Sequence, residues 1–359
     1  MPLPLSRQSA NPPLQSVLQS AQGDSLQQDI RALGQRVRGE IGEQDARYIR
    51  RVVAMTRYLE VAGRGMLFLG MFPVFWVLGT VCLAMAKIIE NMEIGHNVMH
   101  GQYDWMNDPT LRGKSYEFDA VATSDHWRYT HNYLHHKYTN IRGVDEDIGI
   151  LRLSADQPWR GYHLLQPGLA LASALFAQWA VAVQRLQLVP WLKGEKPASE
   201  VWAATKPVIR KASRQILKDY ILFPLIAGPA WLPVLLGNLA ANGIRNIWSW
   251  IIIFCGHCTD NAQVFDASVL HNDNSSARYR RQILGSSNIE GGRLFHLFSG
   301  HLGYHIEHHL YPDIPACRYP QLAAEVRKIC KKHEIHYNSA RLGTQFGQVL
   351  RRILRYSLP

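Results

Sequence analysis

The residues with the clearest chemical potential in this chain are its histidines. Sixteen occur in 359 residues, and half of them fall in three short groups. The first is His96-Asn97-Val98-Met99-His100, the second His131-Asn132-Tyr133-Leu134-His135-His136, and the third His305-Ile306-Glu307-His308-His309. On a helix, residues four apart share one face, so an i, i+4 pair directs two imidazoles at one metal ion. The adjacent histidine in the second and third groups sits about 100° around the helix, where it reaches a second ion beside the first. A single tetrahedral ion needs only four ligands, so groups of two, three and three histidines predict a two-metal centre. Imidazole suits zinc, copper, iron and nickel alike, so ligand type leaves the metal open. The chain has no HExxH motif and no zinc-deaminase signature, and it lacks the Glu-x-x-His pair of carboxylate-bridged di-iron bundles.

The five cysteines form no disulfide framework, since their number is odd and their spacing irregular. Cys255-Gly256-His257-Cys258 matches the active-site tetrapeptide of disulfide isomerases letter for letter. That chemistry needs the first cysteine at a helix N-terminus, where the dipole lowers its pKa. Here the tetrapeptide ends an apolar run from Ile247 to Phe254, which argues against a redox role.

Elements of two kinds must position the histidines. The chain is 47% hydrophobic, yet its mean hydropathy is only −0.15. Long apolar runs are therefore offset by large polar segments, which predicts a few membrane spans carrying a sizeable water-facing part. Met66 to Ala86 is uncharged over the length of a span. The segment from Met55 either joins it in one tilted span broken near Pro73 or pairs with it as a hairpin, and both alternatives stay open. Tyr220 to Ile244 and Asn246 to Thr259 read as two spans, with Asn238, Asn242, Gly243 and Asn246 supplying the turn between them. Leu164 to Val183, bounded by His163, Pro167 and Gln178, reads as an interfacial or half-buried helix. Residues 1–28, rich in Gln, Ser and Pro, read as a disordered tail before a single domain over 29–359, which opens with a solvated or interfacial helix over Asp29 to Arg57. The fold class that follows is all-α and integral to the membrane, with four transmembrane helices in two hairpins under a helical cap that holds the histidines. Lys and Arg crowd the link between the hairpins and the tail beyond Arg278, whereas the connection near residue 245 is nearly uncharged. The positive-inside rule then puts both termini and the cap in the cytoplasm. No signal peptide opens the sequence, so insertion is expected to use an internal span.

The net charge of +11 suits a face against anionic lipid or an acidic partner. Nothing resembles a zinc finger, a homeodomain or an aromatic-rich RNA-binding face, so nucleic acid is excluded as a partner.

The three groups, in their order and surroundings, resemble those of the membrane fatty-acid desaturase family. The first box stands in Glu93-Ile94-Gly95-His96-Asn97-Val98-Met99-His100-Gly101, the second in the stretch from His126 to Asn140, and the third in His305-Ile306-Glu307-His308-His309-Leu310-Tyr311-Pro312. The likeness runs from about Arg50 to Tyr337. Three residues precede the paired histidines of the second box, and the third box begins with His where many members have Gln; both variants fit the family pattern.

The resemblance implies two iron ions held by His96, His100, His131, His135, His136, His305, His308 and His309. It also implies His257 as a ninth ligand, because a lone histidine at the cytoplasmic end of the fourth span completes the site in the stearoyl-CoA branch. O2 becomes the co-substrate and a long-chain acyl group the substrate, carried on coenzyme A or on a lipid, with Δ9 as one candidate position. Carboxylates tune such all-histidine clusters through the ligands, and Glu93, Asp125, Asp145, Asp147 and Glu307 are placed in the sequence for that task. Arg128, Lys137, Arg142 and Arg152, around the second box, are candidates for docking the donor's phosphates or an acidic electron carrier. The chain carries neither a haem-binding His-Pro-Gly-Gly stretch nor a dinucleotide fingerprint. Electrons from NAD(P)H must then arrive through a separate ferredoxin or cytochrome b5 with its reductase. A lipid hydroxylase built on similar boxes is the alternative outcome, and a metal transporter or sensor a more distant one.

Overall fold

The computed structural model describes residues 23–145 and 151–359, and these are mostly helical. Helix α1 (Gly23–Gly39) places Leu26, Ile30, Leu33 and Val37 on one face. That face packs into a core with Ile306, Leu310 and Tyr311, so the first charged segment is solvated on one side only. Residues 23–28, expected within the tail, belong to this helix; residues 1–22 lie outside the described residues.

Helix α2 (Glu43–Phe68) begins where Asp45 Oδ2 accepts the Gly42 N–H at 2.9 Å. It ends before a reversal over residues 69–72, and α3 (Pro73–Met99) restarts on a proline, whose missing N–H costs nothing in a first turn. The region from 55 to 96 is therefore a hairpin, and its turn divides the uncharged stretch Met66 to Ala86. The two helices touch backbone to backbone. A Cβ on Gly63 would lie 2.8 Å from the Leu83 nitrogen, and one on Gly79 would lie 2.9 Å from the Leu67 nitrogen. Small residues at such a crossing let apolar helices close on each other. Helix α3, 27 residues long, is the one helix among the described residues that is long and apolar enough by itself to cross a membrane.

After α4 (residues 124–138), helices α5 (Gln166–Leu175) and α6 (Ala177–Gln184) occupy the segment expected to be interfacial or half-buried, with a bend of 101° at their break. The second hairpin differs from expectation. Helix α7 (Ala198–Ile216) continues through Leu217–Leu222 and Phe223–Ile226, and the chain reverses at Gly228–Ala230. Gly228 sits there at φ +56, a conformation that favours glycine. Helix α8 (Trp231–His257) then runs unbroken for 27 residues, so the expected turn near 245 does not exist.

Its asparagines remain helical because their side chains bond sideways. Asn238 Nδ2 donates to the Asp219 carbonyl at 2.6 Å, Asn242 Nδ2 to Asp219 Oδ2 at 3.2 Å and Asn246 Nδ2 to the Leu175 carbonyl at 2.8 Å. Arg245, expected between two spans, is buried and donates to the Asp119 carbonyl and to Asn242 Oδ1. Asp219 is fully buried and accepts from Lys87 Nζ at 2.8 Å and from Arg64 Nη2 at 3.2 Å. One carboxylate thus ties both helices of the first hairpin to the second.

The remaining elements close over one end of these helices. Helix α9 (Ser275–Leu284) is capped by Asn274 Oδ1, which accepts the Ala277 N–H at 2.8 Å. Strand β1 (Asn288–Glu290) pairs in parallel with β2 (Ser339–Arg341). Between the strands come α10 (His305–Leu310) and α11 (Tyr319–Lys332), and α12 (Leu342–Ser357) follows.

Candidate metal centre

The histidines converge from four helices. His96 and His100 stand at the end of α3, His131, His135 and His136 on α4, His257 at the last residue of α8, and His305, His308 and His309 on α10. Two of these helices widen into π-turns beside their histidines, over Glu90–His96 in α3 and Arg128–His135 in α4. In a π-turn the backbone hydrogen bond lengthens from i+4 to i+5.

Two clusters result. His96, His100, His131 and His308 bring ring nitrogens within 4.8 Å of one another, as do His135, His257 and His309. The expected i, i+4 pairing holds for His96 and His100. His131 and His135 stack, with ring centres 5.1 Å apart, yet they fall in different clusters. His308 and His309, adjacent in sequence, fall in different clusters. His136 lies between the clusters, its ring centre 4.6 Å from that of His100 and 4.5 Å from that of His309. His305 Nε2 stands 2.7 Å from His257 Nε2.

The hydrogen-bond partners of the rings fit a metal. His135 Nδ1 donates to Asp145 Oδ2 at 2.9 Å, His257 Nδ1 to the Gly285 carbonyl at 3.3 Å and His309 Nδ1 to Gln282 Oε1 at 2.9 Å. A neutral imidazole carries one N–H, so all three Nε2 atoms present lone pairs. Yet the Nε2 of His257 lies 3.0 Å from that of His135 and 3.2 Å from that of His309. Lone pairs this close repel unless a cation sits among them. In the other cluster, His96 Nδ1 donates to Asn97 Oδ1 at 2.9 Å and His308 Nδ1 to the Tyr319 hydroxyl at 3.3 Å. His100 Nε2, His308 Nε2 and both ring nitrogens of His136 are buried without a hydrogen-bond partner, which would be costly for polar atoms with nothing to bind. Burial, followed by neighbouring imidazoles, holds His136, His308 and His309 well below the ordinary histidine range and His305 at about 3. Neutral rings are the form that ligates. The donor set fits two imidazole-rich metal positions.

The expected tuning carboxylates separate. Asp145 is buried against His135 and also accepts the Asn140 N–H at 2.8 Å. Glu93 is buried but accepts from Tyr48 at 2.7 Å and bonds His301 at 2.8 Å, which joins the first box to the loop ahead of the third. Glu307 accepts from Asn288 and Tyr337, and burial pushes it up to about 7. Asp125 turns outward to pair with Arg185 at 2.9 Å, so it is a surface charge and not a partner of the cluster. Asp147 lies outside the described residues. The basic residues divide likewise. Arg152 is buried and donates to the carbonyls of Gln157, Tyr356 and Leu358, and Arg128 donates to those of Gly113 and Tyr116. Arg152 is thus committed to internal carbonyls, whereas Arg128 is half-buried. Lys137 remains partly exposed, and Arg142 lines a cavity of about 240 Å³ with Leu151, Leu153, Ser154 and Gln157.

Sequence reasoning missed Asn97, Gln282 and Tyr319, the neutral partners of three ligand histidines. Asn97 stood inside the first box, and its adjacency to His96 was the available signal. The two cysteines of the isomerase-like tetrapeptide are packed in the core: Cys255 and Cys258 are buried, and burial pushes the Cys258 thiol up to about 12. Its glycine has a separate reason, since a Cβ on Gly256 would meet the His305 ring at 2.6 Å.

Comparison with known proteins shows the family. The fatty acid desaturase family model matches residues 68–341. Over 348 residues the chain is 40% identical to an NADPH-dependent stearoyl-CoA 9-desaturase of Mycobacterium tuberculosis, an alignment covering 95% of this chain and 82% of that protein. It is 28% identical over 278 residues to an sn-1 linoleoyl-lipid 6-desaturase of Synechocystis, covering 74% and 76% of the two chains. A protein of the same description from Arthrospira platensis is 24% identical over 278 residues, covering 74% and 73%.

Proposed function

The chain belongs to the fatty acid desaturase family and is a desaturase, and from that premise we propose that it inserts a double bond into a long-chain acyl-CoA at a di-iron centre. The observation that carries this reading is the convergence of imidazole lone pairs in two adjacent clusters. His96, His100, His131 and His308 would hold one iron and His135, His257 and His309 the other, with His136 and His305 completing the nine. Bound iron would supply the chemistry of O2 activation and C–H cleavage. In balance, one O2, two electrons and two protons take up two hydrogens from neighbouring acyl carbons and leave as two waters.

The protein's own part is orientation. Each Nδ1 proton held by Asn97, Asp145, Gln282, Tyr319 or the Gly285 carbonyl keeps a lone pair on the inward Nε2, so the ligand geometry is set before metal arrives. Burial of the rings keeps bulk water from the reacting carbons. Among the described residues of the expected tuning set, Asp145 is the one in contact with a ligand, and Glu93 and Glu307 act at one remove by joining the segments that carry the boxes. Lys137 and Arg142 are the basic groups best disposed to meet the donor's phosphates.

Four long helices, namely α2, α3, α7 with its continuation, and α8, form the two hairpins in the membrane, with the centre and both termini on the cytoplasmic side. The outward apolar side chains of the first hairpin, among them Val61, Phe68, Met71, Phe72 and Val74, suit contact with lipid. The description of the mycobacterial relative supports acyl-CoA as donor, the ninth carbon as target and NADPH as the source of electrons. A separate ferredoxin or cytochrome b5 with its reductase would deliver them to the positively charged surface.

The test is expression in a host without desaturases, followed by gas chromatography of total fatty acids with location of the double bond. A new monounsaturated acid is the expected product. A hydroxy acid would replace the reading with hydroxylation, and an unchanged profile in iron-loaded cells supplied with an electron carrier would reject both. Elemental analysis should find close to two irons per chain.

A further inference from the structure

Helix α9 lies outside all three histidine boxes, yet its last turn reaches into one of the two clusters. Gln282 is 3% exposed and makes three contacts there. Its Nε2 donates to the His136 carbonyl at 2.5 Å, and its Oε1 lies 2.9 Å from both the Thr139 hydroxyl and His309 Nδ1. Three residues on, the Gly285 carbonyl faces His257 Nδ1 at 3.3 Å and accepts from Asn140 Nδ2 at 2.9 Å. Arg281 Nη2 adds a bond to the Lys137 carbonyl at 3.0 Å. One helix end therefore touches two ligands of the His135, His257 and His309 cluster and the backbone that carries a third histidine.

The orientation of the Gln282 amide is determined by chemistry. A carbonyl accepts and never donates, so the group facing His136 O must be the NH2. The other end is then oxygen, and an amide oxygen 2.9 Å from a ring nitrogen requires that nitrogen to carry the proton. His309 is thereby fixed as the Nδ1–H tautomer with its lone pair on Nε2, the atom facing His257. A water could not do this as selectively, because it donates as readily as it accepts. Resting on the two-metal reading above, we propose that Gln282 is a positioning residue for the cluster of His135, His257 and His309: it sets the tautomer and ring orientation of His309 and so governs metal retention at that position.

The experiment compares full-length wild type, Gln282→Met and Gln282→Glu in detergent, reading iron per chain, the Mössbauer spectrum of 57Fe-loaded protein and the thermal midpoint. Methionine keeps the volume and removes the acceptor; glutamate keeps an acceptor for His309 and removes the amide donor. Loss of a partner behind a metal-bound histidine typically lowers affinity about 10- to 100-fold. Gln282→Met should fall from two irons toward one after limited chelation, with the signal of the remaining iron unaltered, and Gln282→Glu should regain the second iron. The proposal is overturned if Gln282→Met keeps two irons and the wild-type spectrum. It is equally overturned if Gln282→Glu loses iron as Gln282→Met does, because the donor to His136 would then be what matters. Wild type that binds no iron would reject the metal reading itself, a different result from either.

Discussion

Substituting Gly256 by alanine sets two effects of known sign against each other. Gly256 lies in the last turn of α8, and exchanging glycine for alanine inside a helix ordinarily stabilises by roughly 0.5–1 kcal/mol. Against this, the new methyl would stand 2.6 Å from His305 Nε2 and 2.7 Å from its Cδ2 and Cε1. Ordinary contact is about 3.5 Å, so the ring must withdraw by about 0.9 Å. It has little room, being packed against His257 and His309 with ring centres 4.4 Å and 4.9 Å away. Overpacking of this kind costs about 1–3 kcal/mol, which exceeds the helical gain. The larger consequence is chemical, since displacing a group by about 1 Å from a reacting centre lowers turnover by roughly 100-fold. Gly256→Ala should therefore melt at or below the wild-type temperature, bind less iron and lose most of its turnover, as read by elemental analysis and fatty-acid profile. A variant with a higher melting point, two irons and wild-type turnover would show that the ring is not confined and would refute the reasoning.

Other substitutions separate ligands from scaffold. His257→Ala should lower iron occupancy and abolish product, whereas His333→Ala, whose ring bonds Asp29 at 2.7 Å, should do neither; both are read by iron analysis and product formation. Asp219→Asn takes from Lys87 and Arg64 the buried carboxylate they share; Asp119 stays 3.6 Å from Lys87 and Glu60 3.1 Å from Arg64, so the cost lies toward the lower end of the range for a broken buried pair, about 3–5 kcal/mol. Its unfolding midpoint in detergent should drop markedly, and an unchanged midpoint would show that the buried charges are satisfied by other means. Arg142→Ala should raise the KM for acyl-CoA about fivefold, near the ~1 kcal/mol of an exposed charge contact, and the difference should shrink in high salt. Arg152→Ala should instead lower stability by about 2 kcal/mol or more while leaving KM in place, because its bonds run to three internal carbonyls.

Much of the helical framework could be read in the chain, and the errors share one cause. Arg245 with Asn238, Asn242 and Asn246 has the composition of a loop, and polar side chains in an apolar run ordinarily mark its end. They stay helical because their partners, Asp219, Asp119 and Leu175, come from distant segments. Local pattern carries no record of such partners. The same reason explains α1: its apolar face is plain at Leu26, Ile30, Leu33 and Val37, but only Ile306 and Leu310, far along the chain, turn it into core.

At the candidate centre, what was legible was whatever residue type and spacing express together. The three boxes announce eight imidazoles, and the adjacency of His308 and His309 announces two positions. The π-turn over Arg128–His135 was not legible, because it is a matter of backbone repeat that no residue in Arg128-Tyr129-Thr130-His131 signals. Nor was the division of His131 and His135, whose stacked rings lie 5.1 Å apart, between the two clusters. The outer partners were legible only where they were charged and near a box. Asp145 follows the second box by nine residues, whereas Gln282 and Tyr319 are uncharged residues on separate helices and belong to no motif. Their function lies in which hydrogen they accept, which depends on three-dimensional placement. A ligand set can be inferred from a list of histidines; the tautomers that make it a ligand set depend on oxygens that the chain supplies from elsewhere.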